Sequence, residues 1–573
     1  MKFAYLKNGI FLLALLLLLF GAGTATALTP ATIYEVGPGK PYTNIGDVPW
    51  ENLHAGDEVR IYWREQPYHE KWVIGVAGSA QQPFVVRGIL GPQGQRPVID
   101  GRDATTRAQL NFWNEERGVL KIGASNTPNI DAATWIVVEN LDIRSGRPPY
   151  QFTGRHGLSN YNNNAAAIYI ENGQNVIIKN CILRDSGNGL FVSQASRNIT
   201  LDGNWLYDNG IEGSYYEHNA YSEAIGMVYQ FNHFGPLRAS CDGNNLKDRS
   251  AGLVVRYNWI EGGNRQLDLV DAEDSATIVN DPSYRQTFVY GNILIEPEGA
   301  GNSQILHYGG DSGVLSDYRK GVLYFYNNTI ISTRSGNTTL MRLSTNDETA
   351  DVRNNIIYVT APGTRLALMN ADGVMNFSHN WTKPGWRDSH STLTGVIHNN
   401  GGNITGASPA FVDESAQDYH LNGTSACINA GAALPAAALP ANDLQSQYVK
   451  HQGQEARPQD AVLDMGAFEV GASTYLPWIT IVGTDSLGVR LLWDSDLWYT
   501  RYQIWRSTQP YFTPTGSWYD EVSIAPWEFD DNALGNIDVN YFYLLRGELS
   551  GGEPTTSNRV GEFDFALTPG ASP

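Results

Sequence analysis

Between His218 and Asp274 the chain gathers most of the side chains able to move protons or hold charge: His218 and Tyr221, then Lys247 and Arg249, then Arg265, Asp268, Asp271, Glu273 and Asp274. Lys247 and Arg249 are two residues apart, the spacing that sends both side chains to one face of a strand. Leu246 and Leu267 open similar short runs; with both in the core of adjacent coils, Asp268 falls beside Lys247 on the outer face. Cations and carboxylates would then share one groove, flanked by His218 and Tyr221. Removing a proton next to a carboxylate needs such parts: Arg or a hard cation in oxygen ligands to neutralise the developing charge, and a base and acid such as Lys or Tyr. On this reading Lys247, Arg249, His218 and Tyr221 are the catalytic candidates, Arg265 and Asp268 contact the substrate, and Asp271, Glu273 and Asp274 could hold Ca²⁺. Two alternatives use the same residues. Hydrolysis by two carboxyls roughly 6.5–9.5 Å apart could employ Asp268 with Asp271 or Asp274, and an inter-coil salt-bridge ladder would need no substrate at all. His218, His233 and His307 lack zinc-ligand spacing, and no Gly-rich turn leads into a helix as a phosphate loop requires.

The elements that must position these residues repeat. A β-branched run followed by Asn and an apolar residue recurs around Asn140, Asn180, Asn204, Asn258, Asn292, Asn328, Asn355 and Asn380, at spacings of 24 to 40 with one gap of 54. Such periods mark a solenoid with one coil per repeat. Asn tolerates the left-handed backbone region and its amide can bond the next coil, so these residues are expected to stack in one column. The gap of 54 predicts two coils, one of which has lost its Asn. A second strand type, starting near Ile168, Leu190, Met227, Leu246, Leu267, Ile305, Leu340 and Leu366, is expected to stack into one further sheet.

With Tyr34–Ile45 and Leu53–Ile61 as opening coils, residues 32–470 resemble right-handed parallel β-helix proteins of the pectate-lyase-like superfamily. The string from Pro409 through Asp464–Glu469 resembles their closing segment, expected to cover the last coil. Arg249–Asn258 resembles the Lys-Ser-x-x-Asn…Arg-x-Asn segment of β-helix alginate lyases and chondroitinase B. The family's base Lys falls on Arg249 and its catalytic Arg on Val270, so that mechanism does not transfer residue for residue. From Tyr475 the text changes to separate strands, with Trp493, Tyr502 and Tyr541 where a small sandwich places core aromatics, and residues 474–565 resemble a fibronectin type III domain. The expected fold is all-β: a right-handed parallel β-helix, a small β-sandwich, and a disordered tail at 566–573.

Lys2 and Lys7, the apolar run Ile10–Phe20 and Ala25-Thr26-Ala27 read as a signal peptide over residues 1–27. The run is shorter than the roughly 18–20 residues that span a bilayer, so no transmembrane anchor is expected. Three Cys cannot build a disulfide framework; Cys181 should be a buried thiol, and a Cys241–Cys427 bridge is one option. A net charge of −20 argues against nucleic acid, and an acidic glycan would need a local basic patch or a bridging cation. The sequence thus predicts a secreted monomer that cleaves an acidic extracellular polysaccharide as a lyase. Alternatives are a non-catalytic glycan-binding surface or matrix protein, using exposed Tyr and Trp in Pro148–Asn163 and Ser214–Pro236, and a polygalacturonase-like hydrolase.

Overall fold

The computed structural model describes residues 31–362, 364–459 and 462–470, with the segments 479–483, 489–493, 499–509, 512–523, 528–531, 541–549 and 555–561. The expected signal peptide and the 566–573 tail lie outside the described residues. Residues 33–405 wind through three long sheets of 13, 11 and 13 strands, almost all paired in parallel with the strand one coil away. This is a parallel β-helix.

Alternation within each strand explains the winding. Glu58–Tyr62 and Phe84–Ile89 alternate half-buried and buried residues, so every second side chain enters the core. Val59, Val86, Val138, Ile178, Leu201, Tyr229, Val255, Val289, Phe325, Val352 and Phe377 follow one another in register through the first sheet. All are buried in a single apolar core.

Between the first and second sheets the chain turns on one residue of positive φ per coil: Asn140, Asn180, Gly203, Phe231, Tyr257, Gly291, Asn327, Asn354 and His379. The following position carries the Asn ladder. Asn204, Asn232, Asn258, Asn292, Asn328, Asn355 and Asn380 each donate Nδ2 to the next rung's Oδ1 at 2.9–3.3 Å, ending on Asn403. Two expectations are corrected here. The coil between Asn204 and Asn258 keeps its Asn, at Asn232. Asn140 and Asn180 sit one residue before the column, at the turn itself, where they pair with each other, while Leu141 and Cys181 hold the first ladder positions. Asn suits both adjacent sites, which is why the text did not separate them.

Met227 also moves. Ile225–Gln230 belongs to the first sheet, and the third-sheet strand of that coil is Ala220–Ser222. The segment after Pro409 leaves the last coil's strand Val396–Asn399 largely exposed and meets that coil at Ile404. It runs back along the flank, packing Phe411, Tyr419, Tyr448, Met465 and Phe468 on Trp259, Ile293, Ile331, Ile356 and Trp381. The outward face of the second sheet is apolar, and burying it outweighs capping one edge. Cys181, Cys241 and Cys427 are all free thiols, so the bridge is not formed. Burial pushes Cys181 and Cys427 up to about 12. Past residue 478, antiparallel sheets of three and four strands contribute to one apolar cluster including Trp493, Tyr502, Ile504 and Tyr543.

Candidate functional site

The third sheet carries the site on its outer face. Its register places Lys121, Tyr169, Phe191, Tyr221, Lys247, Asp268, His307 and Arg342 in one line, one residue per coil. Each is flanked by core residues such as Leu246, Leu267, Leu306 and Met341, so strand parity turns them outward. Lys247 and Asp268 are therefore neighbours, as their spacing predicts, and their side chains meet at 3.1 Å.

Asp268 is the hub of a cleft of about 500 Å³. One oxygen accepts from Asn244 Nδ2 at 2.8 Å and Lys247 Nζ at 3.1 Å; the other accepts from His307 Nδ1 at 2.8 Å, with Arg265 at 3.8 Å. Burial opposes its charge, but Lys247 and His307 hold the carboxyl well below the usual range. An ionised Asp268 requires the proton of His307 on Nδ1, which leaves the Nε2 lone pair to accept from Ser344 Oγ at 2.9 Å. Burial also lowers the affinity of His307 for a second proton, although Asp268 pulls the other way. The imidazole is a neutral base of fixed tautomer.

Lys247 also meets Asp311 at 2.5 Å. Burial disfavours its charge, yet Asp268 and Asp311 outweigh it and hold the ammonium above the ordinary lysine value. Arg249 is 4 % exposed; it donates Nε to Tyr221 Oη at 2.9 Å and pairs with Asp311 and Glu273, each at 2.9 Å. His218 lies beneath the line, accepting on Nδ1 from Asn244 N at 2.9 Å and stacking on Tyr221 with ring centroids 5.8 Å apart. Burial, then Lys247, lowers it to about 3, so it positions Asn244 and Tyr221 as a neutral ring.

The acidic trio is spoken for or scattered. Asp271 caps the loop after Gly310, accepting from Asp311 N at 2.7 Å and from the Ser312 hydroxyl. Glu273 pairs with Arg249, and Asp274 lies exposed at a neighbouring cleft. No group of three His, Cys, Asp or Glu side chains able to hold a metal occurs among the described residues, and this donor set does not fit Ca²⁺. Below the line a bolt fixes the strand ends. Fully buried Arg319 donates to Val270 O at 2.9 Å and Ser250 O at 2.8 Å, and pairs with buried Asp248 at 3.3 Å.

Sequence reasoning missed His307 as a site residue, and with it Arg342, Asp311, Ser344, Glu217 and Glu223. His307 and Arg342 carry a usable signal, since each has the strand parity of Lys247 in its own coil. Asp311, Glu217 and Glu223 come from turns between coils, where no periodicity points.

No protein-family model matches the chain, and no curated protein does. Solved structures with some likeness include the alginate lyase of Paenibacillus sp. str. FPU-7 (11% identity, 56% of this chain and 93% of that one, TM-score 0.38). Others are the GH136 lacto-N-biosidase of Eubacterium ramulus (12% identity, 65% and 68%, TM-score 0.41) and PfbA, a surface adhesin of Streptococcus pneumoniae (12% identity, 62% and 83%, TM-score 0.38). At these values none assigns chemistry to this chain. The parallel β-helix rests on its own strand pairing.

Proposed function

We propose that the protein is a secreted polysaccharide lyase that cleaves an acidic glycan in the Asp268–His307 cleft, with residues 474–565 as an appended fibronectin type III-like module. The observation that carries this reading is Arg342. It lines the cleft one coil from His307, and among the described residues no carboxylate pairs with it. A half-buried guanidinium without a partner, beside a neutral base, is suited to a substrate carboxylate.

A uronate carboxyl would sit on Arg342 and Arg265, which neutralise the charge that develops as the adjacent carbon is deprotonated. His307 Nε2 takes that proton, with Asp268 stabilising the imidazolium. Ser344 can release Nε2 because its hydroxyl has Gly310 O at 2.9 Å and Tyr308 O at 3.3 Å as other acceptors. The electron pair forms the ring double bond, the glycosidic C–O bond breaks, and the Lys247 ammonium returns a proton to the leaving oxygen. Lys247 thus serves as acid, not base, because its two carboxylates keep it charged. Tyr215 and Tyr216, 62 % and 81 % exposed at the rim, supply faces for sugar rings.

The test is a screen of acidic polysaccharides for ultraviolet-absorbing unsaturated ends and, in parallel, new reducing ends. Unsaturated product is expected, with His307→Ala and Arg342→Ala each losing about 10²–10⁴ in turnover, Arg342→Ala at an unchanged melting temperature and His307→Ala, which strips a buried partner from Asp268, at a somewhat lowered one. Reducing ends without unsaturation would mean hydrolysis, and binding without either product would mean a glycan-binding surface.

A further inference from the structure

Next along the same sheet lies a second cleft, of about 710 Å³, and Tyr216 lines both. Its charge balance differs. Where the first cleft sets Lys247, Arg265 and Arg342 against Asp268 and Asp311, the second presents Glu217, Glu223 and Asp274, with Arg117 as its one cation among the described residues. Glu217 and Glu223 are each only 3 % exposed, and each has an oxygen, Oε2 and Oε1 respectively, without a hydrogen-bond partner. Buried acceptors left unmet are rare and call for a donor. Asn162, Asn163 and Asn164 add amides on the facing loop, and the stacked rings of Phe191 and Tyr221, 4.8 Å apart, form an apolar wall.

The geometry points to a subsite for an uncharged sugar beside the uronate subsite, and hence to a substrate in which uronate alternates with a neutral or N-acetylated sugar. This rests on the uronate reading of the first cleft. A second uronate would bring its carboxylate against two buried acids, whereas hydroxyl or acetamido N–H groups satisfy their orphaned oxygens. Burial and the nearby Asp274 also raise Glu223 to about 7, so near neutrality its carboxyl can donate to a sugar oxygen as well as accept.

The experiment is calorimetric binding to His307→Ala protein, which holds substrate without turning it over. Oligosaccharides of hyaluronan, with uronate alternating with N-acetylhexosamine, are compared with oligogalacturonate and oligoalginate of equal length. The alternating chain is expected to bind at least about tenfold more tightly. Glu223→Leu, and separately the isosteric Glu217→Gln, should erase most of that preference in proteins that melt like their parent. Equal or tighter binding of the homopolymers, an undiminished preference in both folded variants, or no binding of any of the three would overturn the inference. The lyase reading fails on a different result, the absence of unsaturated product from every polymer, and the binding comparison decides this inference either way.

Discussion

Replacing Asn292 by Ala tests the central rung of the ladder. Its Oδ1 accepts Asn258 N at 2.9 Å and Asn258 Nδ2 at 3.0 Å, and its Nδ2 donates to Val255 O at 2.9 Å and Asn328 Oδ1 at 3.0 Å. After truncation Asn258 Nδ2 keeps Tyr229 O and Arg256 O, and Asn328 Oδ1 keeps the Asn292 backbone N–H. The Asn258 N–H keeps nothing, and at 0 % exposure water cannot reach it. Truncation also removes the bond from Asn292 Nδ2 to Tyr290 O at 3.0 Å. One orphaned buried donor costs about 1–3 kcal/mol and the four other lost bonds about 1 kcal/mol each, so the expected destabilisation is about 5–7 kcal/mol. Asn403, the half-exposed last rung, is the control: it has no further rung to hold, Asn380 Nδ2 keeps Val352 O and Ser378 O, and only the Asn380 N–H loses its acceptor, so Asn403→Ala should lose less, about 1–3 kcal/mol. Urea unfolding followed by tryptophan fluorescence, with slopes checked for equality, measures both. A central loss no larger than the terminal one would refute the claim that a buried rung's backbone N–H depends on the side-chain oxygen of the next rung.

Arg319→Met should destabilise by about 3–5 kcal/mol, because it strands the buried Asp248 carboxylate, and Arg319→Met with Asp248→Leu should recover most of that loss; calorimetric melting of the three proteins checks it. Folded-state values near 7 for Glu223 and Glu296, raised first by burial, also set a pH dependence. A raised carboxyl favours the fold while protonated, so its contribution is complete below the unfolded value near 4.5 and is lost as pH rises through about 7. The melting temperature should therefore fall from about pH 5 to about pH 8, and Glu223→Gln with Glu296→Gln should flatten that slope.

The solenoid was legible because its signal is periodic. Alternating β-branched residues and a recurrent Asn leave few folds open, and the same parity argument brought Lys247 beside Asp268. What escaped it was not periodic. Asn180 and Asn232 exchange roles because one turn offers two adjacent positions that suit Asn, and pattern alone cannot tell a residue that bends the backbone from one that bonds the next coil. The acidic run after Leu269 looked like a metal site because carboxylates cluster in both cases, and the difference lies in Ser312, Arg249 and Asp311, which arrive from other coils. The flank-packing of residues 409–470 depends on an apolar outer face of the second sheet, which in the text is indistinguishable from core.

That returning segment changes how the rod can come apart. A free solenoid holds each coil only through its two neighbours, so it can fray from an end one coil at a time. Here Tyr419 and His451 rest on Trp259, His451 stacks on His233 at 3.9 Å, and Gln452 donates to Gly203 O at 2.8 Å. The C-terminal part of the helix is thereby laced to coils more than two hundred residues earlier. Peeling the last coils exposes the apolar flank of many others, so the cheap route of end-fraying is closed. Synthesis meets the mirror image of this constraint, since the coils from Gly203 onward are long finished before their strap leaves the ribosome, and their apolar flank must wait uncovered.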